Sequence, residues 1–334
     1  MLKTGKLDSD LLKSLVFEKI KYRNEDVKVR PGIGEDCAVV SYGDYDCIMS
    51  TDPITAAASE VGRLAIHITC NDIASNGVQP LGILLAVMLP EGTTEEDVAE
   101  IMSQAADTAT EVGVEIIGGH TEITPAVNQP VIVSTAIGKA LADTSQTGDS
   151  LAEGDVIMIT KSVGLEGTGI IAGDYAEELE GVLSREEMDN ALSFFDKVSV
   201  VKEGVCAGKV GTHGMHDITE GGILGAVWEM CQIAGVGAEI DCDAIPMEKE
   251  TDKVCRHFGI DPLRLISSGS MVIMVPEGKV EAMKSAMSEI NVDISPIGII
   301  RNRDFGIMMK VGGNIRTVQP PDTDELYKVI CKEH

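Results

Sequence analysis

Apolar residues recur at helical spacing along much of the chain. The clearest stripe runs through residues 60–76, where Asp72 continues the apolar face. A carboxylate in that position must be paired, bound to a cation, or solvated at the helix end. Similar stripes and end signals predict further helices over residues 8–22, 93–112, 184–209 (two helices), 222–234 and 279–290, and a short final helix that carries Tyr327.

Short apolar runs bounded by Gly, Pro and acidic residues predict strands between these helices. They cover residues 37–40, 45–50, 81–89, 114–117, 130–139, 156–160, 271–275, 297–300 and 305–311. Pro53 is expected to stop one strand just after Asp52. After the run 114–117, the pair Gly118-Gly119 predicts a sharp turn that delivers His120 and Glu122 into a cleft.

Length and composition indicate two domains of mixed class. The chain has 334 residues, 35 of them Gly, and 3% aromatic residues. A polar stretch over residues 141–154 suggests a boundary, so residues 1–150 are predicted as an α/β domain and residues 151–334 as an α+β domain.

The formal net charge of -27 excludes two broad classes of partner. Nucleic acids and anionic membranes both require a basic surface, so neither is expected. Solubility alone explains such a charge. If the ligand is anionic, it must be held locally by a cation such as Mg²⁺ and by backbone N–H groups.

The eight cysteines include no C-x-x-C pair, which gives no support to a zinc or iron–sulfur site. Asp8 and Asp10 stand where a signal peptide would need apolar residues, and the apolar run 81–89 is too short to span a bilayer. A reducing cytoplasm is therefore expected.

Two glycine-rich stretches precede predicted helices and are candidate anion sites. The first is Gly164–Gly169, which is equally consistent with a simple turn. The second is Gly221-Gly222, whose backbone N–H groups would face an anion at the helix start. Asp217, just before it, is either a functional acid or an N-cap.

Five motifs occur in order between residues 32 and 222: Gly-Ile-Gly-Glu-Asp, Ser-Thr-Asp, Asn-Asp-Ile-Ala-x-x-Gly-x-x-Pro, Gly-Gly-His-Thr and His-Asp-x-x-x-Gly-Gly. This order resembles the aminoimidazole ribonucleotide (AIR) synthase, or PurM-like, superfamily. That superfamily includes the hydrogenase-maturation protein HypE and thiamine-monophosphate kinase.

The resemblance implies an N-terminal domain that forms a dimeric β-barrel flanked by helices, and a C-terminal α+β domain. It also implies a homodimer, an ATP and Mg²⁺ site, and transfer of the γ-phosphate to a substrate oxygen. By the same resemblance, the Mg²⁺ ligands are Asp36, Asp52 and Asp72. The nucleotide-binding set adds Gly34, Asn71, Gly118, Gly119, Gly221 and Gly222. The catalytic candidates are His120, Glu122 and Asp217. His120 could contact phosphate, act as a base or be an ordinary hydrogen-bonded histidine, and Glu122 is the candidate substitute for an acid at the position of His120.

Within the superfamily, the first motif and the length favour HypE-like proteins. This implies a small-molecule, carbamoyl or thioamide substrate and a maturation-protein partner. Two positions depart from HypE. HypE ends in a cysteine that accepts a carbamoyl group, whereas Cys331 is followed by three further residues. His120 stands where HypE and the thiamine-phosphate kinases carry aspartate.

Three functions follow from these observations. The first is an ATP-dependent enzyme that activates an amide or carbamoyl oxygen, and the second is a small-molecule kinase like thiamine-monophosphate kinase. The third is a nucleotide-binding regulatory protein without turnover, which the departures at His120 and Cys331 would favour.

Overall fold

The structure, a computed structural model, describes residues 7, 9–55, 60–146, 148, 150–321 and 323–331. Its α-helices are α1 (Ser9–Leu15), α2 (Val61–Ser75), α3 (Glu95–Val112), α4 (Leu165–Asp174), α5 (Arg185–Leu192), α6 (Val201–Val210), α7 (Gly222–Ala234), α8 (Lys249–Phe258), α9 (Val280–Glu289) and α10 (Tyr327–Ile330). Asp8, expected near the start of the first helix, and the residues after Cys331 lie outside the described residues.

Thirteen strands are described, and they form two sheets. They are β1 (Val27–Val29), β2 (Ala38–Tyr42), β3 (Tyr45–Ile54), β4 (Pro80–Leu89), β5 (Glu115–Ile123), β6 (Val131–Leu141), β7 (Val156–Thr160), β8 (Gly214–Asp217), β9 (Gly237–Asp241), β10 (Met271–Val275), β11 (Ile294–Arg301), β12 (Ile307–Val311) and β13 (Asn314–Thr317).

The N-terminal half is a six-stranded sheet in the order β1-β2-β3-β6-β4-β5, with α2 packed on β3 and β6 and α3 packed on α2. Among the described strands, β1 and β5 end the sheet without pairing to each other. Within one chain the sheet is therefore open, and the barrel predicted for the N-terminal domain is not formed by this chain alone.

The C-terminal half is a seven-stranded mixed sheet in the order β13-β12-β9-β11-β7-β10-β8. The edge strand β8 lies against α2 of the other half and ends at Asp217. The two-domain α/β and α+β architecture predicted from the sequence is confirmed in outline. The boundary near residue 150 stays a prediction, since the core around α2 also includes residues of α4 and α6.

A close contact between α2 and the start of α6 joins the halves. The buried Asn71 amide donates to the carbonyl oxygen of Val198 at 2.9 Å and accepts from the N–H of Val200 at 2.8 Å. Further along α2, Gly204 lies against Ala74, where an added Cβ would approach the carbonyl carbon to 2.8 Å. Small residues thus let the two helices meet closely and fix α2 against the second domain.

Lys161 braces the same junction from the second domain. Its Nζ donates to the carbonyl oxygens of Lys197 at 3.1 Å, Ser199 at 2.6 Å and Gly269 at 2.8 Å. It also lies 2.6 Å from the buried carboxylate of Glu203. The Lys161 ammonium group therefore meets the hydrogen-bonding needs of two carbonyl groups in the turn that leads into α6, by donating to them. It also neutralises the buried carboxylate of Glu203 in that helix.

The helices and strands with the strongest end signals lie where the sequence predicts them. Thr94 and Asp97 form the capping box of α3, and Gly113 and Gly235 end α3 and α7 in the left-handed conformation. The N-terminal helix is shorter than predicted. The strand before Pro53 continues to Ile54, and β1, β8, β9 and β13 are not predicted.

We expect Gly204→Ala to lower the free energy of unfolding by roughly 1–3 kcal/mol, because a methyl group there overpacks the contact with Ala74. Chemical denaturation measures the change. Gly278→Ala is the matched control, since nothing lies within 4 Å of its added Cβ. Equal stability of the two variants would show that the junction tolerates a wider spacing.

Candidate active site

Asp72 is a buried carboxylate of the first domain. It lies on α2, one residue after Asn71, and is 6% exposed. Ser50 of β3 donates its hydroxyl to the carboxylate at 2.6 Å. The Cys37 thiol donates to the Asp72 backbone oxygen at 3.3 Å, and burial with the nearby acids raises the pKa of that thiol.

Three further aspartates converge on Asp72. Asp36 precedes β2, Asp52 lies on β3, and Asp217 is the last residue of β8. Burial, followed by the charges of these three groups, raises the pKa of Asp72 well above its ordinary value. The structure therefore brings together all three predicted metal ligands and one predicted catalytic acid.

His216 lies beside Asp217 and extends the acidic cluster. Its side chain is 5% exposed, and its Nε2 lies 3.3 Å from Asp36 Oδ1 and 3.6 Å from Glu229 Oε2. Burial lowers the pKa of His216, but the carboxylates of Asp36, Glu229 and Asp217 outweigh that effect and raise it. One ligand atom each from Asp36, His216 and Asp217 lie within 4.8 Å of one another.

His216 and Glu229 are not among the residues predicted for the site. His216 belongs to the motif His-Asp-x-x-x-Gly-Gly, but the sequence does not show which way its ring points. Glu229 is the single acid between Gly222 and Ala234, on a helix that is otherwise apolar or neutral. A single acid in such a helix can be recognised from the sequence, as Asp72 is recognised on α2.

Gly34 makes the approach of Asp36 to α7 possible. Its φ is 73°, and an added Cβ would lie 2.9 Å from the Cδ1 of Ile233 and 3.1 Å from the Cβ of Glu229. Only a residue without a side chain fits this conformation and spacing. The group that Gly34 meets in the structure is α7, and its membership of the nucleotide-binding set stays a prediction.

The donor set fits a hard divalent cation. Asp36, Asp52 and Asp72 offer carboxylate oxygens, which Mg²⁺ prefers. Several carboxylates in one place repel each other, and burial, followed by this repulsion, raises the pKa of Asp72. A cation bound there would relieve it.

His120 and Glu122 are separate from this cluster within the chain. They lie on β5, exposed, with His120 Nε2 3.4 Å from Glu122 Oε2. Gly119 pairs with Leu85, Leu85 with Ser134, and Ser134 with Asp52. At about 4.8 Å for each strand, β5 is roughly 14 Å from Asp52. Their predicted catalytic role thus stays a prediction, and one that the residues of a single chain do not support.

The predicted sharp turn at Gly118-Gly119 is wrong, because both residues lie inside β5. Gly119 has φ 151°, and a Cβ there would collide with the carbonyl group of Leu85. The glycine is needed because β4 and β5 approach closely at an irregularity in their register. Approach to a phosphate is not needed to explain it.

The predicted anion site at Gly221-Gly222 is occupied by the chain itself. The Gly221 N–H donates to Asp324 Oδ2 at 2.7 Å, and the Gly222 N–H donates to the Thr219 carbonyl oxygen at 3.1 Å. Gly221 is the N-cap of α7, so Asp217 is not. An anion does bind this helix start, but it is a carboxylate from the last segment of the chain.

Two other predicted binding positions also have partners within the protein. Both polar groups of the Asn71 amide bind backbone atoms at the start of α6, as described above, so this side chain holds the fold together. The Gly164 N–H donates to Ser267 Oγ at 2.8 Å, and the Gly167 N–H donates to the Ile266 carbonyl oxygen at 3.1 Å. The loop before α4 is therefore a structural turn.

A second acidic cluster surrounds Asp324. Burial raises the pKa of Asp324 to about 6, although the N–H groups of Leu326, Gly221 and Ile266 lower it. Burial also raises the pKa of Glu166 to about 7, opposed by Ser268 and reinforced by Asp324 and Glu220. Both carboxyl groups therefore keep a proton at higher pH than an exposed carboxyl group does. The cluster lies near the final helix, α10, where Tyr327 donates to Glu220 at 3.3 Å.

Two family profiles match the halves of the chain. Residues 34–140 match the N-terminal domain of AIR synthase related protein, and residues 152–310 match its C-terminal domain. A carbamoyl dehydratase HypE from Rhizobium leguminosarum bv. viciae is 32% identical over 73% of this chain and 70% of that protein. The chain belongs to the AIR-synthase-related family. Within that family it is HypE-like.

A second relative covers nearly the whole chain. A protein of Methanocaldococcus jannaschii, named for hydrogenase expression or formation, is 28% identical over 97% of both chains. The superfamily resemblance inferred from the five motifs is thereby confirmed.

Solved structures share the fold. HypE in complex with ATP superposes with a TM-score of 0.74 at 23% identity, covering 97% of both chains. A HypE–HypF complex gives 0.74 at 23% identity, with 93% of this chain and 99% of that one covered. Thiamine monophosphate kinase from Aquifex aeolicus gives 0.71 at 16% identity, with 93% and 98% covered.

All eight cysteines are free thiols, and Cys331 is the exposed one among them. No helix among the described residues is long and apolar enough to cross a bilayer.

We expect Glu166→Gln to gain stability relative to the wild type as the pH rises. The folded pKa of about 7 exceeds the ordinary 4.5, so the wild type loses stability between those values and Gln does not. Between pH 6 and pH 8 the difference in unfolding free energy should shift by about 1 kcal/mol in favour of the variant. Urea denaturation at both pH values measures it.

Glu177→Gln, at an exposed position of the same region, is the matched control and should show no such shift. A pH-independent difference between Glu166→Gln and the wild type would mean that Glu166 is not protonated in the folded protein near neutral pH.

Proposed function

We propose that the chain is an ATP- and Mg²⁺-dependent enzyme of the HypE type, which activates an amide or carbamoyl oxygen by phosphoryl transfer. The observation that carries the proposal is the convergence of Asp36, Asp52, Asp72 and Asp217 at the junction of the two halves. Its support from relatives is the carbamoyl dehydratase named above and the ATP bound in a HypE of the same fold.

In this proposal Asp36, Asp52 and Asp72 hold the Mg²⁺ of Mg·ATP. When bound, the cation would offset the negative charge of the phosphate oxygens during transfer. The chain's own task is to keep these oxygens in place. Ser50 fixes the Asp72 carboxylate by its hydrogen bond, and Gly34 lets the loop of Asp36 reach the site.

Asp217 and His216 face the same space from the second domain. The Asp217 N–H donates to Ser75 Oγ at 3.0 Å, which ties the end of β8 to α2. A reacting group between the halves would thus meet carboxylates from α2 and β3 on one side and Asp217 on the other. Such an arrangement serves positioning and charge neutralisation, the main requirements of phosphoryl transfer.

The proposal includes a homodimer that closes the N-terminal barrel. The open edge at β5 and its neighbour β4 expose four apolar side chains: Leu81, Leu84, Ile117 and Ile123. A second copy at this edge would cover them and would place its own residues near His120 and Glu122. This is the arrangement in which a catalytic role for those two side chains has physical support.

The proposed partners follow the relatives. HypE forms a complex with HypF in one similar structure, and we propose a maturation-protein partner for this chain as well. The proposed substrate is a small molecule or a carbamoyl or thioamide group, and the proposed location is the cytoplasm. Nothing in the strongly acidic composition favours nucleic acid.

Asp72→Asn is expected to abolish Mg²⁺-dependent ATP binding, because the amide removes the buried charge that attracts the cation. Titration calorimetry with ATP, with and without Mg²⁺, measures the effect. Asp107→Asn, an exposed aspartate of α3, should bind as the wild type does. Nucleotide that binds Asp72→Asn unchanged in Mg²⁺ would place the site elsewhere.

The fate of the phosphate distinguishes the proposed enzyme from the alternatives. A carbamoylated thiol peptide should give ADP and free phosphate, whereas formylglycinamidine ribonucleotide and thiamine phosphate should give neither. Phosphate retained on thiamine phosphate would identify a kinase instead. Binding of ATP without turnover of any of the three would favour a regulatory protein.

Cys331 offers a separate test of the HypE role. It follows α10, is exposed, and is the candidate acceptor of a carbamoyl group. Mass spectrometry after incubation with a carbamoyl donor system should show a carbamoyl or cyano adduct on Cys331. An unmodified thiol would count against that role while leaving the ATP site in place.

A further inference from the structure

The Mg·ATP proposal leaves two groups of the site without a task. They are His216 and Glu229, which are not among the proposed Mg²⁺ ligands Asp36, Asp52 and Asp72. The His216 side chain is 5% exposed and therefore lies inside the protein. Its surroundings show what it can bind.

The two ring nitrogens of His216 have different environments. Nδ1 lies 2.5 Å from the backbone oxygen of Asp217, a distance at which it donates its hydrogen to that carbonyl. In the neutral ring, Nε2 then carries the lone pair. A backbone carbonyl that fixes the tautomer in this way is the usual outer contact of a histidine that binds a metal through its other nitrogen.

Nε2 points into a group of carboxylates without a hydrogen bond of its own. Asp36 Oδ1 lies 3.3 Å from it and Glu229 Oε2 lies 3.6 Å from it. Asp217 supplies a third carboxylate, whose nearest oxygen is 3.8 Å from the other ring nitrogen. Three acids around one buried imidazole hold more negative charge than a single proton on the ring offsets.

The spacing suits a coordinated cation. Ligand atoms of Asp36, His216 and Asp217 fall within 4.8 Å of one another, so small inward movements would bring each within about 2.0–2.2 Å of a common centre. The four groups come from three elements: the loop before β2, the end of β8, and α7. The local sequence does not impose this convergence, which arises from the packing of the two halves.

The ligand types select the class of metal. Mg²⁺ favours oxygen ligands throughout, whereas an imidazole among carboxylates suits Zn²⁺, Mn²⁺, Fe²⁺ or Co²⁺. We propose that His216, Asp36, Asp217 and Glu229 form a binding site for a divalent transition-metal ion, next to the Mg²⁺ ligands Asp52 and Asp72. Asp36 is common to both sets and would join the two cations.

This site stands on geometry that is independent of the proposed reaction. A protein that turned out to bind no ATP would still have it, and an ATP-dependent enzyme could lack it. The two proposals are therefore tested by different ligands.

Cobalt(II) is the probe, because its visible absorption reports its ligands. The full-length protein is stripped with a chelator and titrated with CoCl₂ in the absence of nucleotide and in excess MgCl₂. We expect visible d–d bands that saturate at one equivalent and persist in the excess Mg²⁺. His216→Ala should weaken the binding at least tenfold, and Glu229→Gln, which keeps the volume of the side chain, should also weaken it.

His257→Ala is the matched control, because His257 is exposed on α8. It should bind Co²⁺ as the wild type does. Circular dichroism and thermal unfolding confirm that each variant is folded, and Co²⁺ should raise the melting temperature of the wild type and of His257→Ala more than that of Glu229→Gln.

Three results would each overturn the proposal. The first is Co²⁺ binding that is unchanged in Glu229→Gln and in a folded His216→Ala. The second is near-ultraviolet sulfur-to-cobalt absorption, which would place the ion on cysteine. The third is displacement by Mg²⁺ at similar concentration, which would show that acidic oxygens alone hold the cation.

Discussion

The paired hydrogen bonds of Asn71 are the constraint on which the site depends. They lock α2 to the backbone at residues 198 and 200, and the next residue of the helix is Asp72. Since neighbouring helical residues point in directions about 100° apart, a helix held by Asn71 has its Asp72 aimed at β3 and β8. Asn71, which the motif predicts as a nucleotide-binding residue, thus stabilises the packing of α2 in the structure. It thereby positions Asp72, the residue that faces the site.

The electrostatics of the molecule follow from this placement. Fixing α2 between two sheets buries Asp72 among Asp36, Asp52 and Asp217, where water can no longer screen their repulsion. Burial, followed by the charges of these acids, raises the pKa of Asp72 most, and the net charge of the chain is -27. In the proposed function, a divalent cation would offset the charge of these acids and of ATP.

Much of this was predictable from the chain, and the limits have physical reasons. Asp72 stands out because it continues an apolar helix face, and Glu229 because it is the single acid of α7, and both signals are local. The turn predicted at Gly118-Gly119 is wrong because glycine allows both a turn and a close contact between strands. Which of the two forms depends on Leu85 of the neighbouring strand β4. His120 and Glu122 share a motif with the glycines, yet sheet order places them three strands from Asp52. Strand order is a tertiary property that periodicity does not report.

The start of α7 shows why a motif does not by itself define an anion site. The Gly221 N–H donates to the carboxylate of Asp324, which lies 103 residues later in the chain. This N–H group is therefore not available to a phosphate. Since that carboxylate is buried and also accepts from Leu326, a phosphate could enter only by displacing the last segment of the chain. In the proposed function, cations held by the aspartates, rather than this helix start, would therefore meet the anionic part of a nucleotide. The N–H groups of Gly221 and Leu326 satisfy Asp324, whereas the proposed metal ligands lie around Asp72 and His216.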